Sequence, residues 1–309
     1  MLSLEQARAQ VKKLLKIPKI EQKTKEWYDA RNNLITASDF AQALGQGKFG
    51  SQKQLIEKKV CIDAEYKPLK NIFFEWGNLF EPVACDVYSA MKETVVNEFG
   101  LLRHPRHSFF GASPDGITDD GIMLEIKCPF KRKITGEIPL QYYYQIQGQL
   151  DVCELRECDY FECEFSKFED YDEYKESYQD GSYTGIIHAN DDKTFSYGVV
   201  CQTLCQKSGV TNKNAIYWVL NKYFLERVHK DDEFTEAKLQ ELKIVWDKIL
   251  VYRENPERFT LEVKKTMSLE TSTYKSGGPC RIIDLSDIGT DTSKAEVIPK
   301  KKYHFVNLE

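Results

Sequence analysis

The chain has 309 residues, of which 41% are hydrophobic and 29% charged, with a formal net charge of −5. This is the composition of a soluble globular protein with room for one large domain or two, and 17 Tyr with 17 Phe exclude disorder over most of the length. No run approaches the roughly 18 consecutive apolar residues of a membrane span, and the acidic balance leaves nucleic-acid affinity to local basic stripes: Lys12, Lys13 and Lys16; Lys131, Arg132 and Lys133; or Lys300, Lys301 and Lys302. Residues 3–17 read as an amphipathic helix with interleaved lysines, without the uninterrupted apolar stretch of a secretory signal, so an intracellular location is expected. A second helix is predicted over 24–31, carrying Trp27 and Tyr28. In "LITASDFAQALG" (34–45), Ser38 stands where an N-cap belongs, ahead of an apolar-periodic helix that Gly45 closes. Another short helix covers 51–60.

Apolar residues at 73, 76, 80, 83, 84, 87 and 91 share one helical face. Pro82 is expected in the first turn or at a restart, because deeper in a helix it removes a hydrogen bond. "TVVNEFGLLRHP", "FFGASPDGI" and "GIMLEIKCPF" read as strands, the last being the clearest. A long helix over 139–153 and an alternating strand over 158–165 follow. The acidic stretch 166–210 reads as an insertion with small strands, 215–231 as one strand or two, and 233–255 as a strong helix; beyond 262 the periodicity fades. The order gives an α/β fold class with a central mixed β-sheet flanked by helices.

Nine cysteines, at 61, 85, 128, 153, 158, 163, 201, 205 and 280, are an odd and scattered set. A disulfide framework would show an even count in a short secreted chain, and zinc sites take close pairs facing a second pair. Cys201 and Cys205 lack an evident second pair, so reduced, mostly buried thiols are expected. Cys61 followed by Cys153, Cys158 and Cys163 echoes the order in iron–sulfur nucleases, but the spacings differ and Cys163 fits a core position of its strand.

The chemistry concentrates in "GASPDGITDDGIMLEIKCP" (111–129). On a strand, Glu125 and Lys127 share one face while Leu124 and Ile126 suit the core face. The turn Asp119-Asp120-Gly121 folds Asp115 back beside Glu125. Two carboxylates at close range repel unless a cation sits between them, and Mg²⁺ takes one or two protein carboxylates plus water and phosphate. A salt-bridged surface hairpin accounts equally well for these residues taken alone.

"SPDG" and "LEIKCP" resemble the core motif of the PD-(D/E)XK nuclease superfamily. "WYDARNNLITAS" (27–38) and "WGNLFEP" (76–82) precede them and "YYYQIQ" (142–147) follows. Together the blocks resemble the lambda-type exonuclease family, the YqaJ-like viral recombinases, with an acidic insertion as in proteins of large DNA viruses. The resemblance implies a restriction-endonuclease-like core over 24–258 interrupted at 166–210, a helical extension at 1–23 and a C-terminal extension at 259–309. It implies metal ligation by Asp115, Glu125, the main-chain carbonyl of Ile126 and, directly or through water, Glu81. Lys127 would position the attacking water and stabilise phosphoryl charge, and Gln145 would orient that water or the scissile phosphate. Gln147 and Gln149 stay open between site and structural roles. Arg31, Thr36 and Ser38 match the phosphate-recognising block, where a guanidinium and a helix N-terminus suit an anion. The implied activity is Mg²⁺-dependent (or Mn²⁺-dependent) 5′-to-3′ digestion of linear double-stranded DNA, leaving 3′ overhangs for a single-strand annealing protein. An endonuclease or ribonuclease with the same site, or an inactive binding scaffold, are the alternatives. A trimeric ring or a monomer both occur among such enzymes, and a viral protein would work in the host cytoplasm or nucleus.

Overall fold

The structure, a computed structural model, describes residues 2–20, 24–61, 71–208 and 214–259. The expected C-terminal extension from 260 onward, with Cys280 and Lys300, Lys301 and Lys302, lies outside the described residues. In chain order the first half contains α1 (Leu4–Leu14), α2 (Lys25–Asn32), β1 (Ile35–Thr36), a 3₁₀ turn (Ala37–Asp39), α3 (Phe40–Ala43), α4 (Gln52–Val60), α5 (Ile72–Lys92), β2 (Val96–Asn97), β3 (Leu102–Arg103), β4 (Phe110–Ala112) and β5 (Gly116–Thr118). The second half contains β6 (Ile122–Lys127), α6 (Leu140–Cys153), β7 (Glu157–Phe168), α7 (Tyr171–Ser177), β8 (Thr184–Ala189), β9 (Phe195–Tyr197), β10 (Ala215–His229) and α8 (Asp232–Glu254).

Seven strands form a mixed sheet in the order β2-β5-β6-β7-β10-β8-β9, and β1, β4 and β3 form a small second sheet. Only the β6–β7 pair of the large sheet is parallel. A parallel pair needs a crossover, and α6 supplies it. One face of the sheet packs against α5, where Leu79, Phe80, Val83 and Val87 meet Leu124, Ile126 and Phe161. On the other face Met123, Cys158 and Tyr160 join Ile146 and Leu150 of α6, Leu242 and Ile249 of α8, and Phe110 of the small sheet. Each of these fully buried large side chains contributes about 1.5–3 kcal/mol.

Helix α6 runs through the middle of the protein, with every residue from Ile146 to Cys153 buried. Gly148 makes this possible: a Cβ there would stand 2.8 Å from Phe110 and 3.0 Å from Phe40.

Several expectations change in detail. Ser38 does not cap its helix; Thr36 precedes the 3₁₀ turn instead, and its N–H and hydroxyl both donate to Asp39 Oδ2, at 3.4 and 2.8 Å. Helix α5 continues unbroken through Pro82, which lies in its interior rather than its first turn, because the helix is held from the side by the sheet. Phe73, expected on the apolar face, is exposed. "FFGASPDGI" splits into β4 and β5, which belong to different sheets. The stretch 166–210, expected as an insertion with small strands, carries β8 and β9, and β8 pairs with β10 to extend the main sheet. Of the eight described cysteines only Cys153, Cys158 and Cys163 are buried, and Cys61 is exposed. Cys158 and Cys163 lie in cores on opposite faces of the sheet.

Candidate active site

The hairpin at its centre follows from local sequence. Gly121 turns the chain with φ +82°, a conformation natural only to glycine. Gly116 then pairs with Leu124 and Ile117 with Met123, so Asp115 falls opposite Glu125. Leu124 and Ile126 go into the α5-side core, and alternation turns Glu125 and Lys127 toward α6.

Glu125 is fully buried, and its Oε1 is in close contact with Lys127 Nζ. The same ammonium donates to the Ile126 carbonyl at 3.1 Å and lies 4.9 Å from the centre of the Tyr142 ring. Burial alone would lower the Lys127 pKa, but the Glu125 and Asp115 carboxylates outweigh it and raise it. Asp115 accepts the Ile126 N–H at 2.7 Å. Its pKa is driven well above the ordinary carboxylate range by burial first, then by repulsion from Glu125 and Glu81. Glu81 comes from α5 on the opposite face of the sheet and is exposed. Its charge acts on Asp115, yet among the described residues no three His, Cys, Asp or Glu side chains converge as a metal cluster. The oxygen set at this point is therefore two carboxylates and a carbonyl.

The three glutamines of α6 separate cleanly. Gln145 is half-buried, and its side chain makes no hydrogen bond among the described residues. Gln147 donates to the His229 carbonyl (2.9 Å) and accepts the Asp231 N–H (2.8 Å), tying α6 to the β10–α8 junction. Gln149 donates to Glu125 Oε2 at 2.8 Å.

Sequence reasoning missed a fourth carboxylate. Glu162 pairs with Lys127 in the β6–β7 register and is fully buried. It forms an ion pair with Arg132 and accepts from the Tyr160 hydroxyl at 3.2 Å. Burial raises its pKa, against the opposing pull of Arg132. The available signal was alternation in "CDYFECEF", which puts Glu162 on the face of Tyr160.

Beside the turn that packs on α6 at Gly148, the arginine–threonine–serine block does converge. Arg31 Nη2 donates to Thr36 Oγ1 (3.3 Å) and Ser38 Oγ (3.2 Å), with the guanidinium 4.4 Å from the Trp27 ring centre. Two residues not anticipated hold it in place. Lys59, only 2% exposed, lies 3.2 Å from Asp39 Oδ2 and donates to the Arg31 carbonyl at 2.7 Å. Burial would raise the Asp39 pKa; Lys59, Arg31 and the Thr36 hydroxyl bring it down to about 2.

A separate cleft of about 620 Å³ is lined by Arg106, His107, Asp151, Lys230 and Lys243, among others. Beside it His104 Nδ1 accepts the N–H groups of Arg106 and His107, both at 3.0 Å, so Nε2 carries the proton toward Asp151 Oδ2 at 2.7 Å. This histidine is a structural clasp.

Residues 26–156 match the family described as YqaJ-like viral recombinase domain. An uncharacterized protein of Acanthamoeba polyphaga mimivirus is 26% identical over 84% of this chain and 59% of its own length. A protein of African swine fever virus is 28% identical over 42% of this chain and 46% of its own length. The chain thus spans about half the length of the curated relatives it matches. Among solved structures, the LHK-Exo structure in complex with dAMP superposes with a TM-score of 0.52 at 22% identity, covering 78% of this chain and 100% of that one; LHK-Exo is an alkaline exonuclease from Laribacter hongkongensis. That likeness establishes the fold. Among the described residues no helix is long and apolar enough to cross a membrane. The segment 26–156 that matches the YqaJ-like viral recombinase domain holds Arg31, Glu81, Asp115, Glu125 and Lys127 alike.

Proposed function

We propose that the chain is a metal-dependent deoxyribonuclease that digests linear double-stranded DNA from the 5′ end and leaves 3′ overhangs, the substrate of a single-strand annealing protein. The observation that carries this reading is the meeting of Asp115, Glu125 and Lys127 at one point of the β5–β6 hairpin. The residues fit a hard divalent ion. The Lys127 ammonium already rests against Glu125 Oε1 and the Ile126 carbonyl, and burial, with repulsion from Glu125 and Glu81, raises the pKa of Asp115. Asp115, Glu125 and the Ile126 carbonyl, with Glu81 directly or through water, would hold Mg²⁺ or Mn²⁺. When bound, such an ion supplies Lewis acidity at the phosphoryl group.

The chain's own residues do the rest. Lys127, kept protonated by its acidic neighbours, donates to a non-bridging phosphoryl oxygen, where charge grows in the transition state. Gln145 keeps its donors and acceptor available for the attacking water or the scissile phosphate. Arg31, with Thr36 and Ser38, receives the terminal phosphate, since a guanidinium matches phosphate geometry. No histidine is required as base.

The test offers 5′-phosphorylated and 5′-hydroxyl linear duplexes, closed circular duplex and RNA, each with Mg²⁺, with Mn²⁺ and with a chelator. Nucleotide release from the 5′-phosphorylated duplex, with its 3′-ended strand surviving, is expected in either metal and not in chelator. Nicking of the circle would replace this reading with an endonuclease, and RNA hydrolysis with a ribonuclease. Inertness toward every substrate would leave a binding scaffold.

A further inference from the structure

We infer that Gln149 is a positioning residue whose amide fixes the Glu125 carboxylate for a divalent cation; this rests on the nuclease reading above and deepens it. Gln149 is 1% exposed, deep in the buried half of α6. A leucine would fill the same place without the desolvation of an amide. Gln147, two residues earlier on α6, shows how a purely structural glutamine is satisfied: both ends are hydrogen-bonded to backbone. Gln149 is not satisfied in that way. Its Nε2 donates to Glu125 Oε2, while its buried Oε1 has no hydrogen-bond partner among the described residues. Leaving such an acceptor unpaired carries an uncompensated desolvation penalty. Turning the amide over would bring Oε1 against Glu125 Oε2, acceptor against acceptor, so the orientation is fixed by the carboxylate.

The two oxygens of Glu125 are thereby divided. Oε2 is held by Gln149 from α6, and Oε1 faces Lys127 from its own strand. The last torsion of a glutamate is broad and only loosely two-fold. With Oε2 pinned, Oε1 keeps its direction when Lys127 moves off it toward a phosphate. Without Gln149 the carboxylate is free to turn, and the oxygen offered to the cation loses its place. Partners of this kind behind a metal ligand are worth about 10–100-fold in metal affinity.

Calorimetric titration of Mn²⁺ into the full chain tests this on wild type, Gln149→Leu, Gln149→Asn and Gln147→Leu, with melting temperatures alongside. Gln149→Leu is expected to weaken Mn²⁺ binding by about 10–100-fold without a lower melting temperature. Gln149→Asn, whose shorter amide falls short of Oε2, should weaken it in the same direction, and it stands in if the leucine variant fails to fold. Gln147→Leu should melt earlier and bind Mn²⁺ as wild type does. Wild-type affinity in both Gln149 variants, or an equal loss in Gln147→Leu, overturns the inference while leaving the nuclease reading intact. Wild type that takes up no Mn²⁺ overturns the nuclease reading, and this inference with it.

Discussion

Two polar clusters lie on either side of α6, and they handle charge in opposite ways. Around Arg31 the protein closes its own account: Asp39 faces Lys59 and Arg31, its pKa falls to about 2, and the hydroxyls of Thr36 and Ser38 complete the set. Around Glu125 it does not. Asp115 is pushed upward by burial, Glu125 and Glu81, against which Lys127 and the Ile126 N–H pull. On the proposed reading, the cluster balanced from within would receive an anion through its remaining donors, and the acid-rich cluster would receive a cation.

The contrast can be broken most forcefully at Lys127. Lys127→Ala is expected to lower cleavage of linear duplex by about 10²–10³-fold or more, as loss of a transition-state donor does, with circular dichroism unchanged. In the same cluster, Asp115→Asn should abolish cleavage yet raise the melting temperature of metal-free protein, because a carboxyl whose pKa is raised on folding opposes folding once ionised. A lower melting temperature would show that the cluster is not short of positive charge.

In the balanced cluster the expected order is reversed, with stability suffering before chemistry. Lys59→Met leaves Asp39 with Arg31 and the Thr36 hydroxyl but without its nearest cation, and should cost about 1–3 kcal/mol in urea unfolding. Asp39 also sets a pH signature. Its pKa is lowered from 3.8 to about 2, so its contribution of about 2 kcal/mol is present above pH 3.8 and is lost as pH falls through about 2. Asp39→Asn should flatten the acid side of the stability profile in that window. The smallest change expected is at Ser38, which is exposed. Ser38→Ala should cost less than about 1 kcal/mol in stability and lower the rate advantage of a 5′-phosphorylated over a 5′-hydroxyl duplex about five-fold, the worth of one hydrogen bond.

What the sequence disclosed of the site follows the range of the forces involved. Asp115, Glu125 and Lys127 were legible because strand alternation and a glycine turn are local, and a hairpin of this length fixes its own register. The capping role of Thr36 was not, because Asp39 is oriented by Lys59 from α4, a lysine that shares the face of Leu55 and Ile56 but whose charge gives no local reason to bury it. Gln147 and Gln149 could not be told apart by spacing, since both sit on a helix buried all round. Their partners, at the β10–α8 junction and on β6, are set only by the tertiary fold. The seven-stranded sheet was legible as a mixed sheet, but the break of "FFGASPDGI" into two sheets depends on Pro114 lying where the chain passes from one sheet to the other.

The bare backbone at Gly148 has a metric consequence. The turn bearing Ala37 and the ring of Phe110 press directly onto the helix there, so on the proposed reading the spacing between the Arg31 cluster that would grip a terminus and the hairpin that would cut is set by one unadorned helical turn. A methyl group at 148 would act like a shim. It would spread the jaws of a caliper, and the first bond severed would shift along the strand, readable as a change in the length of the first fragment released.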